Sequence, residues 1–293
     1  MAEAPQKYAV VTGANKGIGL ETCRQLASRG ITVVLTARDK NKGREAVEKF
    51  GASGLVDRVI FHRLDVTDNS TITALAEFIK SQFGRLDILV NNAGVLGSEV
   101  EWEAIDFTVK KEPDWSKIAT DISYESTKDA IQTNYYGTKR ITEALLPFLQ
   151  LSNSPRIVNV SSTLGNLKYI PSEWARRILN DEENLTEEQI DGIVNEFLKD
   201  SKEEEVEAKG WPKPLGGYMV SKAAMNAYTR LLAKQYPRFR INCLCPGLVK
   251  TDITRNVGMW TAEEGAEIPV MLATLPDDGP TGRHFYRNTV GDF

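Results

Sequence analysis

The chain has 293 residues, with 36 basic and 40 acidic side chains and a formal net charge of −4. Its hydrophobic fraction of 41% and charged fraction of 26% are typical of globular proteins, so the composition excludes a wholly disordered chain. The mild negative charge argues against nucleic acid as the main partner, because that polyanion requires a basic surface. No apolar run reaches the ~18–20 residues of a membrane-spanning helix, so no membrane partner is expected.

Cysteine and histidine are scarce in this sequence. The three cysteines, Cys23, Cys243 and Cys245, have neither a zinc-site spacing nor the Cys-x-x-Cys spacing of redox proteins, so we expect reduced, buried thiols. Two histidines exclude a His-rich metal site, and we expect no metal. The first seven residues lack the apolar stretch of a signal peptide. These features predict a cytoplasmic protein.

Short apolar runs alternate with segments of helical periodicity along the chain. The predicted strands are residues 8–11, 31–35, 59–64, 86–90, 156–160 and 239–244, and the predicted helices are residues 18–26, 40–50, 70–83, 125–151 and 218–236. Continuous apolar strands are buried on both faces, and strand–helix alternation produces right-handed βαβ units. We therefore predict an α/β fold: one Rossmann-type domain over residues 1–293, with a doubly wound parallel sheet of about seven strands and helices on both faces.

Two segments, about 95–124 and 163–217, interrupt this alternation. In the second, Thr186 to Gln189 fits a helix capping box, and apolar residues follow at the spacing of one helical face. That face must pack against something. The helix is either a lid or an oligomerisation block near the active site, or it covers the edge of the sheet, and the pattern leaves both open. The Glu/Lys-rich residues 200–209 predict a solvated helix end.

A glycine-rich turn, Thr12 to Gly19, follows the first predicted strand. Its spacing, Gly-x-x-x-Gly-x-Gly, allows a tight turn and places the N–H groups of a helix start at a diphosphate. The turn stands where a dinucleotide-binding fold requires it. It lacks the Gly-Lys-Ser/Thr of a P-loop. We expect a dinucleotide cofactor here.

The end of the second strand favours NADP(H) over NAD(H). NAD-binding proteins usually carry an acid at this position for the ribose 2′-hydroxyl, whereas this chain has Ala37 followed by Arg38. A guanidinium suits a 2′-phosphate, and Lys16 adds a second positive charge. Asp39 could pair with Arg38 and weaken this preference.

The pattern Tyr-x-x-x-Lys, which places both side chains on one helical face, occurs three times: Tyr124/Lys128, Tyr135/Lys139 and Tyr218/Lys222. Only Tyr218 begins a predicted helix between the fifth and sixth strands, at the rim where doubly wound sheets bind ligands. We therefore select Tyr218 and Lys222. The other two pairs are interpreted as helix-surface neighbours, with Tyr135 and Tyr136 as packing residues beside Asn134.

Several short motifs follow one another along the whole chain. Taken together, they resemble the motifs of the short-chain dehydrogenase/reductase family. They are Thr12–Gly19, Leu64-Asp65-Val66, Asn91-Asn92-Ala93-Gly94, Asn134, Ser161-Ser162, Tyr218-x-x-x-Lys222 and Pro246-Gly247.

The resemblance implies four catalytic roles. Tyr218 is the general acid/base, Lys222 lowers its pKa and holds the ribose, Ser162 orients the carbonyl, and Asn134 anchors a proton-relay water. A phenol is a poor acid/base at neutral pH, and a nearby ammonium favours its ionised form. The cofactor-binding residues implied are Gly13, Asn15, Lys16, Gly17, Ile18, Gly19, Arg38, Asp65, Val66, Asn92, Tyr218, Lys222, Pro246, Gly247, Val249 and Thr251.

The long gap between Ser162 and Tyr218 narrows the resemblance to the carbonyl-reductase branch and to the plant salutaridine and menthone (neomenthol) reductase group. Phrases such as 184–188, 261–267 and 275–280 support it. This implies a monomer whose inserted helix covers the association face of other members. The implied activity is NADPH-dependent reduction of a bulky cyclic terpenoid or alkaloid ketone. The alternatives are a broad carbonyl reductase for reactive or xenobiotic carbonyls and a non-catalytic NADP-binding protein.

The two insertions and the loop after Pro246 are expected to line a substrate pocket as a flap or lid. The candidate substrate residues are Ser162, Leu167, Tyr169, Ile253, Met259 and Trp260, with Trp102, Phe107 and Trp115 in the first insertion. Aromatic residues and Met suit a bulky apolar ketone. Apart from Ser162, each of them could equally serve only to pack the flaps.

Overall fold

Strands and helices alternate along the chain in this computed structural model, which describes residues 6–106, 113–287, 289–291 and 293. The strands are β1 (Tyr8–Val11), β2 (Thr32–Ala37), β3 (Val59–Arg63), β4 (Ile88–Asn91), β5 (Ser98–Val100), β6 (Ala119–Asp121), β7 (Arg156–Val160), β8 (Arg240–Cys245), β9 (His284–Tyr286) and β10 (Thr289–Gly291). The helices are α1 (Gly17–Ser28), α2 (Lys40–Glu48), α3 (Asn69–Gln82), α4 (Trp115–Ile118), α5 (Tyr124–Ile131), α6 (Thr138–Leu149), α7 (Glu173–Asn180), α8 (Glu187–Lys202), α9 (Gly216–Gln235) and α10 (Ala262–Ala273). Within these ranges, no helix is both long enough and apolar enough to cross a bilayer.

The main sheet has the order β10-β9-β8-β7-β4-β1-β2-β3. Its strands from β9 to β3 are parallel, and β10 pairs antiparallel with β9 at the edge. The predicted parallel α/β sheet is confirmed. The two C-terminal strands were not predicted individually, because three-residue strands carry little apolar pattern. A separate hairpin, β5–β6, lies in the first insertion.

The core is divided by the sheet into two layers. Along β1, Val10 packs into one apolar cluster with α3, α6, α8 and α9, whereas Ala9 and Val11 pack into the other with α1 and α10. All three side chains are fully buried. This is the burial on both faces that a continuous apolar strand predicts.

One predicted helix is divided in the structure. Residues 125–151 form α5, then a π-helical segment at Gln132–Gly137, then α6. A π-helical turn inserts an extra residue into a helix and often marks a functional position. The segment contains Asn134, which is fully buried.

The inserted helix α8 is part of the core rather than a loose cover. The predicted capping box is present, with Thr186 accepting from the N–H of Gln189 at 3.3 Å. The apolar face of α8 is buried against α5 and α9; its members are Ile190, Ile193, Val194 and Phe197. The predicted solvated helix end is wrong at Asp200, which is 2% exposed and accepts from Trp211 Nε1 at 2.7 Å. The indole of Trp211, further along the chain, shields it.

The first insertion is held together by the β5–β6 hairpin and by an aromatic pair. The rings of Trp102 and Trp115 pack edge to face, 6.4 Å apart. Phe107 lies outside the described residues. Ser98 and Asp121 are paired across the hairpin.

Burial makes the three cysteines inert. Cys23, Cys243 and Cys245 are buried and free. Desolvation raises the pKa of each thiol, to about 12 for Cys243. A raised pKa keeps the thiol protonated and unreactive at neutral pH.

Candidate active site and cofactor cleft

The glycine-rich turn lies between β1 and α1, where the sequence predicts a diphosphate cradle. Gly13 and Gly17 have φ values of 61° and 57°, a region that favours glycine. A Cβ on Gly19 would lie 2.5 Å from Asn92 Nδ2, so the turn itself packs too closely for a side chain. Helix α1 begins at Gly17 with no side-chain cap from Lys16. Its first N–H groups are therefore suited to an anion, and the cradle fits the diphosphate of a dinucleotide.

Two adjacent asparagines at the end of β4 hold this region together. Asn92 Nδ2 donates to the carbonyl oxygens of Thr12 and Gly13, at 2.9 and 3.1 Å. Asn91 Nδ2 donates to Asn159 Oδ1 at 2.9 Å and so joins β4 to β7. Asn91 thus stabilises the sheet. The side-chain amide of Asn92 shapes the cradle, and its predicted contact with the cofactor remains a prediction.

Arg38, which follows the end of β2, has no charged partner in hydrogen-bond contact among the described residues. Arg38 is exposed, and its guanidinium makes no hydrogen bond within the described part of the chain. Asp39 caps α2 instead of pairing with Arg38: it accepts from the N–H groups of Asn41 and Lys42 at 2.8 and 3.0 Å. The bond from Lys42 is the largest cause lowering the pKa of Asp39.

Lys16, by contrast, has a partner that sequence reasoning missed. Its ammonium forms a salt bridge with Asp252, and both side chains are more than half exposed. The pair joins the glycine-rich turn to the loop after β8. A partner so distant in sequence could not be read from local spacing.

The loop after β8 returns to the cradle. Gly247 has a φ of 81°, and Val249 is buried and bridged to Trp260. A Cβ on Gly17 would lie 3.3 Å from Cγ2 of Thr251. Thr251 of this loop therefore lies against the glycine-rich turn. The cofactor contacts of Pro246, Gly247, Val249 and Thr251 remain predictions.

The remaining predicted cofactor residues have local structural partners. Asp65 Oδ1 accepts from the N–H and hydroxyl of Thr67, at 2.9 and 2.7 Å. Val66 is buried beside Gly137 of the π-helical segment. Ile18 lies near Gly265 of α10, and Asn15 is half-buried in the turn. Their contacts with a cofactor remain predictions.

Lys222 is almost fully buried, at 4% exposure, on α9. Its ammonium donates to the carbonyl of Val160, the last residue of β7, at 2.8 Å. Burial lowers its pKa from 10.5 to about 8. A Cβ on Gly94 would lie 3.6 Å from Lys222 Nζ and 3.2 Å from Asn134 Oδ1, so the segment after β4, the π-helical segment and α9 meet here.

Tyr218 lies one turn earlier on α9, half-buried. Burial raises its pKa to about 12, and a hydrogen bond with Ser162 opposes that rise. Lys222 Nζ lies 5.6 Å from the centre of the Tyr218 ring. Lys222 is not among the causes of this shift, and its expected lowering of the Tyr218 pKa stays a prediction.

The structure separates the two adjacent serines. Ser161 Oγ is buried and donates to Asn226 Oδ1 at 2.6 Å, which is a structural bond between β7 and α9. Ser162 Oγ accepts from the N–H of Leu164 at 3.1 Å. That bond leaves the hydroxyl proton of Ser162 for another acceptor. Ser162 is therefore the serine able to act on a bound carbonyl.

Asn134 is held by the main chain on one side and by α9 on the other. Its Oδ1 accepts from Val95 N–H and its Nδ2 donates to the Val95 carbonyl, both at 2.9 Å. Nδ2 also donates to Ser221 Oγ at 3.0 Å. The side chain is thereby engaged, so a water would have to bind Asn134 through other atoms, such as its main-chain carbonyl.

The other two Tyr-x-x-x-Lys pairs differ from each other. Lys128 lies on the surface near Glu125. Tyr135 is instead fully buried and donates to Asp191 of α8 at 2.8 Å, and Lys139 Nζ reaches the same carboxylate at 2.6 Å. The interpretation of Tyr135 as a packing residue is confirmed by its burial, whereas Lys139 is not a surface residue, because α8 packs over it.

The candidate substrate residues do not share one environment. Ile253 and Met259 are exposed, Met259 at 60%, whereas Leu167 is buried. Trp260 is half-buried under the guanidinium of Arg287, 3.9 Å from its ring centre. Tyr169 packs beside Lys168. Leu167 also lines a cavity of about 470 Å³, with Asn166, Lys168, Glu173, Arg176, Arg177, Asn180 and Phe293.

Comparison with known families gives two matches along the chain. The family described as short chain dehydrogenase matches residues 7–173. The family described as enoyl-(acyl carrier protein) reductase matches residues 206–277. The first covers more than half of the chain.

Individual proteins are similar over almost the whole chain. A (+)-neomenthol dehydrogenase from Arabidopsis thaliana is 54% identical, with 100% of both chains covered. The structure of salutaridine reductase from Papaver somniferum is 50% identical, covering 97% of this chain and 100% of the other, with a TM-score of 0.89. That of menthone neomenthol reductase from Mentha piperita is 46% identical, covering 98% and 100%, with a TM-score of 0.85.

Proposed function

The chain belongs to the short-chain dehydrogenase/reductase family, whose members are oxidoreductases that bind a nicotinamide cofactor, and we propose that it reduces a ketone to a secondary alcohol with NADPH. One observation carries this proposal. Ser162, Tyr218 and Lys222 converge at the ends of β7 and α9, beside the glycine-rich turn. These are the groups that proton transfer to a carbonyl oxygen requires.

In the proposed reaction the bound nicotinamide supplies the hydride, and the protein handles the proton. Tyr218 donates its phenol proton to the carbonyl oxygen. Ser162 donates a hydrogen bond to the same oxygen as negative charge develops there. Burial raises the pKa of Tyr218 to about 12, so the phenol holds its proton at neutral pH and releases it only as negative charge develops on the carbonyl oxygen.

Lys222 has two proposed tasks. Its bond to Val160 fixes the ammonium next to the catalytic serine and tyrosine, and its remaining protons are available to a ribose hydroxyl. Asn134 holds the loop at Val95 and the helix at Ser221 together, and we assign it the relay water. A non-catalytic protein would have no need to maintain this buried lysine.

We propose NADP(H) rather than NAD(H) as the cofactor. Arg38 is exposed and unpaired among the described side chains, while the acid beside it, Asp39, is engaged by α2. Both observations favour a 2′-phosphate at this end of the cleft. Lys16 can contribute once its salt bridge with Asp252 opens.

The proposed substrate is a bulky cyclic terpenoid or alkaloid ketone of plant secondary metabolism. The names of the similar proteins support this class, as do aromatic and Met side chains in the first insertion and in the loop after β8. We propose that segments 95–124 and 163–217 form the walls of the substrate site around one catalytic domain. Reduction of small reactive or xenobiotic carbonyls with equal efficiency would favour the broad carbonyl reductase instead.

We further propose a cytoplasmic monomer. Helix α8 covers α5 and α9, the face on which other members of the family associate, which supports this state. Sedimentation equilibrium at micromolar protein should give the mass of one chain. A stable dimer or tetramer would overturn the proposal.

The function is tested by a panel of ketones assayed with NADPH and with NADH. Cyclic monoterpene ketones and alkaloid ketones form one arm, and small aldehydes and quinones form the other. We expect NADPH-dependent turnover in the first arm. Absence of NADPH oxidation across the whole panel would favour a non-catalytic protein.

A further inference from the structure

The catalytic helix α9 begins at a residue in an unusual backbone conformation. Leu215, which precedes its first turn, has φ 69° and ψ 19°, in the left-handed region. For a residue with a side chain this region is unfavourable, so the surroundings must hold Leu215 in it. The Leu215 carbonyl accepts the first helical bond, from Met219 N–H at 2.9 Å. Tyr218 lies within that first turn, so the position of its phenol depends on Leu215.

One carboxylate satisfies the N–H of Leu215. Leu215 is fully buried, and a buried N–H needs a partner. Oδ1 of Asp121, at the end of β6, accepts from it at 2.9 Å. An acidic group is also favourable at the start of a helix. Asp121 therefore stabilises both the conformation of Leu215 and the start of α9.

The Asp121 carboxylate is itself oriented by the hairpin. Ser98, its register partner on β5, donates from Oγ to the same Oδ1 at 2.8 Å. The hairpin is fixed on α5 in turn, because a Cβ on Gly97 would lie only 2.7 Å from the Ser126 carbonyl. A Cβ on Gly217 of α9 would lie 3.0 Å from the carbonyl oxygen of Thr127 on the same helix α5. The hairpin and the start of α9 are therefore both packed closely against α5.

We propose that Asp121 is a positioning residue for Tyr218: by binding the N–H of Leu215 it fixes the first turn of α9 and aims the phenol at the carbonyl next to Ser162. The inference rests on the proposed function, because it takes Tyr218 as the proton donor. It assigns to the first insertion a second task besides lining the substrate site. Asp121 does not touch the reacting atoms.

The test compares Asp121→Ala with Asp121→Asn, whose amide oxygen can still accept both bonds. We expect Asp121→Ala to lower kcat roughly 10- to 100-fold, as a misplaced catalytic group does. KM for the ketone and the NADPH dissociation constant should stay unchanged, and Asp121→Asn should restore most of kcat. Asp114→Ala removes an exposed acid from the same insertion and is the matched control. Wild-type kcat in Asp121→Ala, or no recovery in Asp121→Asn, overturns the proposal.

Two further measurements keep the inference decidable. If Asp121→Ala does not fold, Ser98→Ala replaces it: that variant should show a smaller fall in kcat, and an unchanged kcat overturns the proposal.

If the wild-type protein reduces no ketone, the proposed function fails, and amide hydrogen exchange then tests the role of Asp121. Asp121→Ala, or Ser98→Ala in its place, must then speed exchange at residues 215–219, and unchanged exchange overturns it.

Discussion

Lys222 and Val160 are joined by a hydrogen bond of 2.8 Å, from the buried ammonium to the last carbonyl of β7. The bond fixes the lysine to the strand that leads directly into Ser161 and Ser162. It is the only hydrogen bond of this ammonium among the described residues, and burial is the main cause that lowers the pKa of Lys222 to about 8. The ammonium therefore has protons left for a further hydrogen-bond acceptor. Its burial as a charge lowers the free energy of unfolding of the protein.

Lys222→Met should therefore stabilise the protein while abolishing ketone reduction. Replacing a buried, poorly compensated charge by an apolar side chain of similar size should raise the free energy of unfolding by on the order of 1–3 kcal/mol at pH 7. Urea denaturation with a parallel NADPH-dependent assay measures both. Equal or lower stability of the variant would show that the ammonium is better compensated than its contacts indicate.

The same pKa shift predicts a pH dependence. Below a pH of about 8 the lysine is charged in both the folded and the unfolded protein, so the full cost of burial is present. Between about 8 and the ordinary value of 10.5, the folded protein has lost the proton and the unfolded chain keeps it. The stability of the wild-type protein should then rise with pH relative to Lys222→Met. Parallel pH profiles of the two proteins would contradict the assignment.

Tyr218→Phe should lose at least about 100-fold in kcat, because general acid catalysis contributes on that scale. The ring and its packing are retained, so NADPH should still bind, as fluorescence titration can show. Tyr124→Phe is the matched control, since it changes the tyrosine of another Tyr-x-x-x-Lys pair. Turnover by Tyr218→Phe near the wild-type rate would refute the proton-donor assignment.

Arg38→Ala should raise KM for NADPH roughly 10- to 100-fold, which is what the loss of charged hydrogen bonds to a phosphate costs. KM for NADH should change little, because NADH has no 2′-phosphate. Arg29→Ala is the control for loss of an exposed arginine, because Arg29 lies at the C-terminal end of α1, away from the glycine-rich turn. Equal effects on the two cofactors would place the 2′-phosphate elsewhere.

Ile193→Ala tests whether α8 is part of the folded core. Ile193 is buried in the apolar cluster that α8 shares with α9, so the substitution should lower the free energy of unfolding by about 2–4 kcal/mol. Ile253→Ala makes the same change at an exposed position and should have little effect. If α8 were a detachable lid, Ile193→Ala would alter KM for the ketone and leave global stability unchanged.

The fold follows from local pattern where that pattern is strong. The sequence predicts Arg156–Val160 and Tyr8–Val11 with the bounds that the structure shows, because each is a short run containing several apolar residues next to a turn. The capping box at Thr186 marked the start of α8 correctly. Periodicity also showed that Ile193 and its neighbours must be buried.

Features that depend on distant contacts escaped prediction. The π-helical segment around Asn134 has the same apolar spacing as an ordinary helix, so one helix was predicted where the structure has three segments. Asp200 appeared solvated because Trp211, which covers it, lies in an irregular segment. The salt bridge of Lys16 with Asp252 and the bond of Asp121 to Leu215 join positions far apart in the chain.

Helix α9 is buried along nearly its whole length, between the sheet on one side and α8 on the other. Most side chains of α9 therefore cannot be replaced without disturbing the packing of the core. A change of substrate range cannot easily arise on the helix that carries Tyr218 and Lys222 without loss of stability. We therefore expect changes of specificity in exposed segments such as the one that carries Ile253 and Met259. The protein could then accept new substrates through changes at its rim while Tyr218 and Lys222 stay in place.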